Sequence, residues 1–367
     1  MRASLLLLAA CLAAAPAAAQ TTSKTTVSVV VDSANRRVVI TAGPFDLAEA
    51  KPMPGMAHDM MHMTMSPMMR FEWPVDGWLN GVNVKITTGG GDTVPIRILH
   101  HMPMFNFDRR SLVHTMVERL FSWGQDTKEI TLPAGVATPL PKGDHLGFVV
   151  AWHNDTGQPL HDAYLHIYLT YLAPQKVKAA VIPWYVDVWN VYGGQNDFDL
   201  PPGPSTQRFY FQVPVAGRII AMGGHMHDYG QWVALIDSAT GKTLVKLRTD
   251  ENKQGHITET GRFVFGFNDD ALPIKAHHTY IAESHYDNIS GKAIPQGGMG
   301  LLAGVFEPAD LALLPKLDLT DPNTVKDLKS FPPDLGDEDA EMQDGHDHMH
   351  MDMPMPKDST GGKPPRR

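Results

Sequence analysis

Cysteine is nearly absent from this chain of 367 residues: Cys11 is the only one, and it lies within the first twenty positions. A single cysteine forms neither an internal disulfide nor a thiolate cluster for a metal. Any metal site must therefore use other side chains, and stability must come from buried surface. Because the chain is longer than a single core usually covers, the sequence predicts two domains.

Basic residues are also in deficit, and long apolar segments are missing beyond position 20. The chain holds 40 acidic and 31 basic side chains, which gives a formal net charge of -9. A net negative charge disfavours binding to nucleic acid or to an anionic membrane. A transmembrane helix needs about 20 apolar residues in a row, and no later stretch approaches that length. We expect neither nucleic acid as a partner nor a transmembrane segment.

The first twenty residues, MRASLLLLAACLAAAPAAAQ, have one positive charge, an apolar run and an alanine-rich end. This pattern is typical of a cleavable secretory signal. We expect cleavage near Ala19, a signal peptide over residues 1–19, and a periplasmic or secreted mature protein. Attachment to lipid through Cys11 is the alternative.

Methionine and histidine are abundant instead, with 20 and 18 residues. In an exported protein these are copper-binding side chains, because thioether sulfur suits Cu(I) and imidazole suits both oxidation states. Many of them fall in residues 53–69, MPGMAHDMMHMTMSPMM, and 346–355, HDHMHMDMPM. Aspartate and proline interrupt both segments, which favours exposed, flexible copper-binding segments. The alternative is that methionine fills gaps in a core.

The pattern from Thr26 onward is one of short β-branched and aromatic runs separated by Gly, Pro, Asn and Asp, which predicts an all-β chain. The segment 173-APQKVKAAVIP-183 separates two halves, each of a size suitable for a β-sandwich. We therefore place an N-terminal domain at 26–173 and a C-terminal domain at 180–308. Residues 309–367 form a low-complexity tail, disordered after about Asp337.

One amphipathic helix is predicted from about Ser111 to Trp123. Its apolar residues recur at helical spacing; they are Leu112, Val113, Met116, Leu120 and Phe121.

Two histidines stand side by side in 97-IRILHHMPMF-106, a segment that reads as a strand. On a regular strand, successive side chains point to opposite faces, so His100 and His101 can share a site only if the backbone is irregular or the rings bind through different nitrogens. With 18 histidines in the chain, about one such pair is expected by chance. A second pair, His277-His278, is interpreted as structural or exposed.

A second motif, 223-GGHMHDYG-230, places His225 and His227 two positions apart. Residues at i and i+2 on a strand project from the same face and can bind one metal ion. The alternatives are a partly buried polar strand end and a cupin-type metal site, although the latter needs an acidic ligand a few residues later, and Asp228 follows too soon.

The order of these motifs along the chain resembles that of a known enzyme family. His100-His101-Met102 is followed by His153 in the next long strand region, then by the H-x-H motif, and finally by Met299 in 295-PQGGMGLLAGVF-306. The series resembles the copper type II, ascorbate-dependent monooxygenases, the group of peptidylglycine α-hydroxylating monooxygenase and dopamine β-monooxygenase. The resemblance extends from about Phe71 to Pro308 and is strongest around the motifs.

This resemblance implies two tandem antiparallel jelly-roll domains with one copper ion on each. In the first domain the electron-transfer copper would be held by His100, His101 and His153. In the second domain the oxygen-activating copper would be held by His225, His227 and Met299. The implied activity is insertion of one oxygen atom into a C–H bond of an unknown small-molecule or peptide substrate, with ascorbate or another one-electron donor.

The chain departs from the family pattern in three ways. Family members contain disulfides, which this mature chain lacks. The peptide-amidating branch has an arginine two residues before its H-x-H motif, whereas this chain has Gly223. Met299 lies among glycines rather than acidic residues. Two other functions therefore stay open: a non-enzymatic copper-binding or copper-storage protein on the same scaffold, and a β-sandwich adhesion or scaffold module.

Overall fold

The computed structural model describes residues 24–50, 63–124, 127, 129–194, 196–267, 270–337 and 343–344. Strands dominate this part of the chain. The strands of the first half are β1 (Thr26–Asp32), β2 (Arg37–Leu47), β3 (Thr64–Met65), β4 (Met69–Glu72), β5 (Trp78–Thr88), β6 (Thr93–Val94), β7 (Leu99–Arg110), β8 (Val117–Gly124), β9 (Ile130–Thr131), β10 (Val136–Ala137), β11 (His145–Phe148), β12 (Ala151–Trp152) and β13 (Leu160–Leu172).

The strands of the second half and of the C-terminal region follow in the same way. They are β14 (Ala179–Ala180), β15 (Ile182–Asp187), β16 (Phe198–Leu200), β17 (Gly203–Gln212), β18 (Gly217–Met226), β19 (Gly230–Asp237), β20 (Thr243–Glu251), β21 (Ile257–Thr260), β22 (Arg262–Val264), β23 (Leu272–Ile274), β24 (Thr279–Asn288), β25 (Ile294–Gly298), β26 (Gly300–Pro308) and β27 (Gln343–Asp344). Short 3-10 turns occupy Ile96–Ile98, Pro174–Lys176 and Leu311–Leu313.

The first domain is a sandwich of two antiparallel sheets. One sheet has the order β1-β2-β13-β5-β6, and the other has the order β27-β3-β12-β7-β11-β4, with β8 paired to β7. Alternate residues of β2 are buried, because a strand with one face on the core exposes the other face. The core between the sheets includes Trp73, Phe148 and Trp152, each at most 1% exposed.

The second domain repeats this architecture. Its sheets have the orders β15-β26-β18-β22 and β17-β24-β19-β20-β21, and Trp184, Tyr286 and Phe306 lie in the core between them. The predicted all-β fold of two tandem jelly-roll sandwiches is confirmed. No helix in the described ranges is long and apolar enough to cross a membrane.

The helix predicted from about Ser111 to Trp123 is wrong. Residues 111–116 form irregular turns, and Val117–Gly124 is strand β8, paired with β7. The apolar residues that suggested one helical face belong to two different cores, since Leu112 packs in the second domain and Leu120 in the first. The α-helix of the described chain is α1 (Pro322–Leu328), whose N-terminal N–H groups donate to the side chain of Asp321.

Ordered structure continues well past residue 309, where the composition indicated a tail. Asp327 of α1 is fully buried and binds Arg119 of β8 through two hydrogen bonds, 2.5 and 2.9 Å long. Farther on, Arg70 pairs with Asp334 at 2.6 Å. The chain after residue 309 is therefore part of the fold as far as residue 337: Leu311 and Leu314 pack against the core of the second domain, whereas Asp327 and Asp334 contact the first. The tail segment 346–355 lies outside the described residues.

The methionine-rich segment 53–69 divides at the boundary of the described residues. Residues 53–62 lie outside them, whereas 63–69 belong to the fold. Met68 and Met69 are fully buried, so the prediction of an exposed segment is wrong for this part. The flexible, unbranched methionine side chain suits an irregular gap in a core, and here it does so beside β4 and β11.

The two sandwiches are joined by direct packing. A turn of the first domain inserts His114 against the second, where its Nε2 accepts a hydrogen bond from the N–H of Asp187 at 3.3 Å. Thr115 N–H donates to the hydroxyl of Tyr192 at 3.1 Å. A separate buried apolar cluster draws on both sides of the boundary; its members are Val136, Val181, Ile220 and Ala271.

Candidate metal centre

The backbone at His100 is irregular, which is one of the two conditions under which His100 and His101 can share a site. Across the ladder from β12, His101 faces Ala151 and Leu99 faces Trp152, so His100 is an extra residue on β7. A bulge of this kind re-aims the side chains next to it. The rings of His100 and His101 lie side by side, with centroids 5.1 Å apart. The two imidazoles therefore do not point to opposite faces.

His101 combines partial exposure with a buried ring nitrogen. Its Nδ1 is buried and has no hydrogen-bond partner among the described residues. Burial, followed by the nearby charges of His100, His225 and His227, lowers the pKa of His101 to about 3. The ring is therefore neutral near pH 7, which is the form that binds metals. An unpartnered buried nitrogen on a neutral ring fits a copper ligand.

His153 follows strand β12, the neighbour of β7. Its backbone N–H donates to the carbonyl of Ile98 at 2.8 Å, just before the histidine pair. The ladder thus brings the backbone of His153 to the same end of the sheet as His100.

Strand β18 ends at the second histidine motif. The core side chain here is Met226, 3% exposed, so His225 and His227 on either side of it project outward together. Their ring centroids are 5.7 Å apart. Across the ladder on β26, His225 faces Leu301 and Met226 faces Gly300, which places Met299 at the level of His227.

A buried tyrosine fixes this strand end. The hydroxyl of Tyr286 accepts hydrogen bonds from the N–H of Met299 at 2.8 Å and from the N–H of His227 at 3.3 Å, and it donates to the carbonyl of Met299. Burial raises the pKa of Tyr286, so the hydroxyl keeps the proton that it donates. One phenol oxygen therefore contacts the backbone of two of the three predicted ligands.

The side chains of Asp228 and His256 stabilise the turn after His227. Asp228 is 7% exposed; its Oδ2 lies 2.5 Å from Nδ1 of His256, and its Oδ1 accepts from the N–H of Ile257 at 2.9 Å. These contacts hold the segment after β20 against the H-x-H motif.

The predicted ligands divide into two groups that the fold brings near each other. His225 and His227 are close enough to His101 to lower its pKa. Among the described residues, however, no three side chains of histidine, cysteine, aspartate or glutamate are arranged to hold a metal ion. The three-histidine set with His153 therefore stays a prediction that requires side-chain rotation, a common change at binding sites. The second set relies on the thioether of Met299.

Sequence reasoning assigned no role to Tyr286 or to the pair of Asp228 and His256. The alternation of Tyr286 with Ser284 and Ala282 on a strand predicts burial but no polar role. Asp228 was noticed only as a poor metal ligand.

Comparison with known proteins identifies no family. No protein-family model and no curated protein matches the sequence. Among solved structures, the major capsid protein P2 of bacteriophage PM2 aligns at 10% identity, covering 75% of this chain and 98% of its own, with a TM-score of 0.33. The Sputnik virophage structure aligns at 8% identity over 82% and 91%, with a TM-score of 0.24. Likeness at this level carries no argument about function.

Proposed function

We propose that this protein is an exported, copper-dependent monooxygenase. It uses dioxygen and a one-electron donor such as ascorbate to insert one oxygen atom into a C–H bond of a small-molecule or peptide substrate. The observation that carries the proposal is the position of Met299 beside His227, where the hydroxyl of Tyr286 contacts the backbone of both. Two imidazoles with one thioether form a ligand set that favours Cu(I), the state that reacts with dioxygen.

The residues have separate roles in this proposal. The first-domain ligands would be His100, His101 and His153, and the second-domain ligands would be His225, His227 and Met299. Bound copper supplies one-electron redox chemistry and activation of dioxygen. Burial keeps His101 neutral, so one of its ring nitrogens retains a lone pair for a cation.

Open space beside the second site would admit a substrate. A Cβ atom built on Gly223 would meet no described atom nearer than the carbonyl of Ala303, at 4.0 Å. Gly223 shares the face of β18 that carries His225. A substrate group could therefore approach the outward histidines over this glycine.

The test compares two alanine variants of the mature protein. His225→Ala is expected to lose about one of two bound coppers and at least tenfold in ascorbate-dependent oxygen consumption, because a two-ligand site holds copper weakly. His161→Ala is the control, since His161 is an exposed histidine paired with Asp46 and lies in the other domain. Metal analysis and an oxygen electrode measure both effects. Unchanged oxygen-dependent turnover in His225→Ala would contradict the proposal.

Copper storage on the same scaffold is the second candidate, favoured by the methionine- and histidine-rich residues 53–62 and 346–355. A storage protein would bind several Cu(I) per chain, lose most of them when both segments are deleted, and consume no oxygen with ascorbate.

A further inference from the structure

A cavity of about 400 Å³ lies on the outer face of the first-domain sheet that contains β2, β13 and β5. Its volume falls within the range of small-molecule sites, about 300–1,000 Å³. Most of the side chains that line it on β5 and β13 alternate along each strand with core residues such as Val84 and Ile167, so they point away from the core. The cavity belongs to the sheet opposite β7, and none of the predicted copper ligands lines it.

The strand pairing sets the width of the cavity. In one row across the sheet, Arg37 of β2 faces Thr170 of β13. Gly81 of β5 continues this row between Thr170 and Thr131 of β9. A Cβ atom on Gly81 would lie 2.7 Å from the hydroxyl oxygen of Thr170, so glycine leaves room for a hydroxyl that lines the cavity. Neighbouring strands lie about 4.8 Å apart, which places the backbones of Arg37 and Thr131 roughly 14 Å from each other.

Two cations flank one aromatic ring at this site. The guanidinium carbon of Arg37 lies 5.3 Å from the ring centroid of Tyr168, and Nζ of Lys85 lies 5.9 Å from the same centroid. Arg37 also pairs with Asp32 at 2.9 Å, whereas Lys85 forms no ion pair with any residue that the structure describes. A carboxylate placed beside Tyr168 would lie near both cations and would give Lys85 an anionic partner.

The side of the cavity next to β9 carries hydrogen-bonding groups instead. The carboxylate of Glu129, just before β9, accepts a hydrogen bond from the hydroxyl of Thr131 at 2.8 Å, and the amide of Asn83 lies on the adjacent strand β5. Hydroxyl and amide groups both donate and accept, whereas a carboxylate accepts only. A ligand that meets this side therefore needs hydroxyl groups, which suit both kinds of partner.

The two sides of the cavity together select one class of small molecule. An inorganic anion would contact the cations and leave the hydrogen-bonding side without a partner. A neutral sugar would leave Lys85 without an anion. A sugar that carries a carboxylate matches both sides, and the apolar C–H face of its ring can pack against the ring of Tyr168.

We propose that this cavity binds an acidic sugar of the uronic acid class. The carboxylate of the sugar lies between Arg37 and Lys85, and its ring packs against Tyr168. Its hydroxyl groups bond to Asn83 and Glu129. No covalent bond forms or breaks, so the site serves recognition. Because no predicted copper ligand lines the cavity, this inference is independent of the proposed function.

Isothermal titration of the full mature chain with glucuronate, galacturonate and glucose tests the inference. Lys85→Gln removes the cation but keeps a polar side chain, and Tyr168→Leu removes the aromatic ring. Lys246→Gln is the control, because Nζ of Lys246 lies 3.6 Å from the ring centroid of Trp232 in the second domain. Circular dichroism verifies that each variant is folded.

The wild type and Lys246→Gln are expected to bind a uronate in the millimolar range, about tenfold more tightly than glucose. Lys85→Gln should lose this preference, because the charge-assisted hydrogen bond to the carboxylate is gone, and Tyr168→Leu should bind glucuronate and glucose more weakly. Equal affinity of the wild type for uronates and glucose would overturn the inference, as would no uronate binding at all. Wild-type behaviour of either folded variant would overturn it as well.

Trigalacturonate separates the two sources of such a sugar. Binding tighter than that of galacturonate would identify an acidic polysaccharide as the ligand, and equal binding would identify the free acid. Either result retains the preference for a carboxylate that Lys85→Gln is expected to remove.

Discussion

At the scale of single residues, polar groups in the core are placed where they support an element end. Tyr286 reaches from β24 across the sandwich to the ends of β18 and β26. Tyr280 lies on the same strand, and its hydroxyl accepts one hydrogen bond, from the N–H of Lys275 at 2.9 Å. The two tyrosines therefore form a natural pair for comparison.

Tyr286→Phe is expected to weaken the second copper site specifically. Removal of the hydroxyl leaves the N–H groups of Met299 and His227 without their acceptor, at a cost of about 1–3 kcal/mol, and releases the methionine segment. X-ray absorption of the Cu(I) protein should lose its copper–sulfur component. Tyr280→Phe is the control and should lose some stability but retain that component. A copper–sulfur signal of wild-type strength in Tyr286→Phe would disprove the role given to Tyr286.

Glu118 makes stability depend on pH. It is 6% exposed, and its Oε2 has no hydrogen-bond partner in the described part of the chain. Burial raises its pKa from 4.5 to about 7, with the charge of Arg109 opposing and that of Asp144 adding to the shift. The folded state therefore holds a proton that the unfolded state releases, and stability falls as pH rises from about 4.5 to 7.

Glu118→Gln should remove this pH dependence. The effect of the substitution on the free energy of unfolding should be about 3 kcal/mol more favourable at pH 8 than at pH 4. Urea unfolding at several pH values measures it. Glu72→Gln, at a carboxylate that is 73% exposed, should leave the pH profile of the wild type unchanged. An equal slope in wild type and Glu118→Gln would rule out Glu118 as the source.

At the scale of elements, the regular strands could be predicted from the sequence, whereas the irregular turn at 111–116 and the bulge at His100 could not. Alternation along β2 and β24 indicates strands directly, because each has one face on a core. The false helix arose because Leu112 and Leu120 are buried in different domains, a fact that spacing alone does not contain. The bulge at His100 was identified only as a condition for a shared site, since the extra residue becomes visible only against its partner β12.

A buried ion pair contributes to the attachment of α1 to the first domain. Asp327→Ala is expected to cost about 3–5 kcal/mol, because it leaves the Arg119 guanidinium, 18% exposed, without its partner. Asp334→Ala breaks the exposed pair with Arg70 on the same segment and should cost less than about 1 kcal/mol. Denaturant unfolding compares the two, and equal losses would show that burial of the Arg119 pair adds nothing.

At the scale of the whole molecule, the two sandwiches share a buried apolar contact, and His225 and His227 lie close to His101. The sequence predicts a domain boundary near residue 173, because the segment between the halves is rich in lysine and alanine and lacks strand alternation. The packing of the two halves against each other could not be predicted from the sequence, because nothing around Val136 and Val181 distinguishes an interface residue from a core residue. The meeting of the two histidine pairs likewise depends on tertiary structure alone.

Val181→Asp is expected to uncouple the domains. Val181 is fully buried in the shared cluster, and an unpaired charge there is strongly unfavourable. Calorimetry should show one transition for the wild type and two for the variant. Val30→Asp, at a valine that is 59% exposed, should keep the single transition. A single transition in Val181→Asp would mean that the other contacts suffice for coupling.

His100 is an extra residue in β7, so this candidate metal ligand is present without any change in the pairing of the neighbouring residues. Without His100, Leu99 and His101 would follow each other opposite Trp152 and Ala151 in regular pairing, and Met102 and Met104 would keep their places in the core. A one-codon insertion in an ordinary strand would therefore be enough to create the adjacent imidazoles. The same insertion could be lost again without harm to the sandwich, so related chains of this fold are expected to differ at this position while they retain the strands on either side.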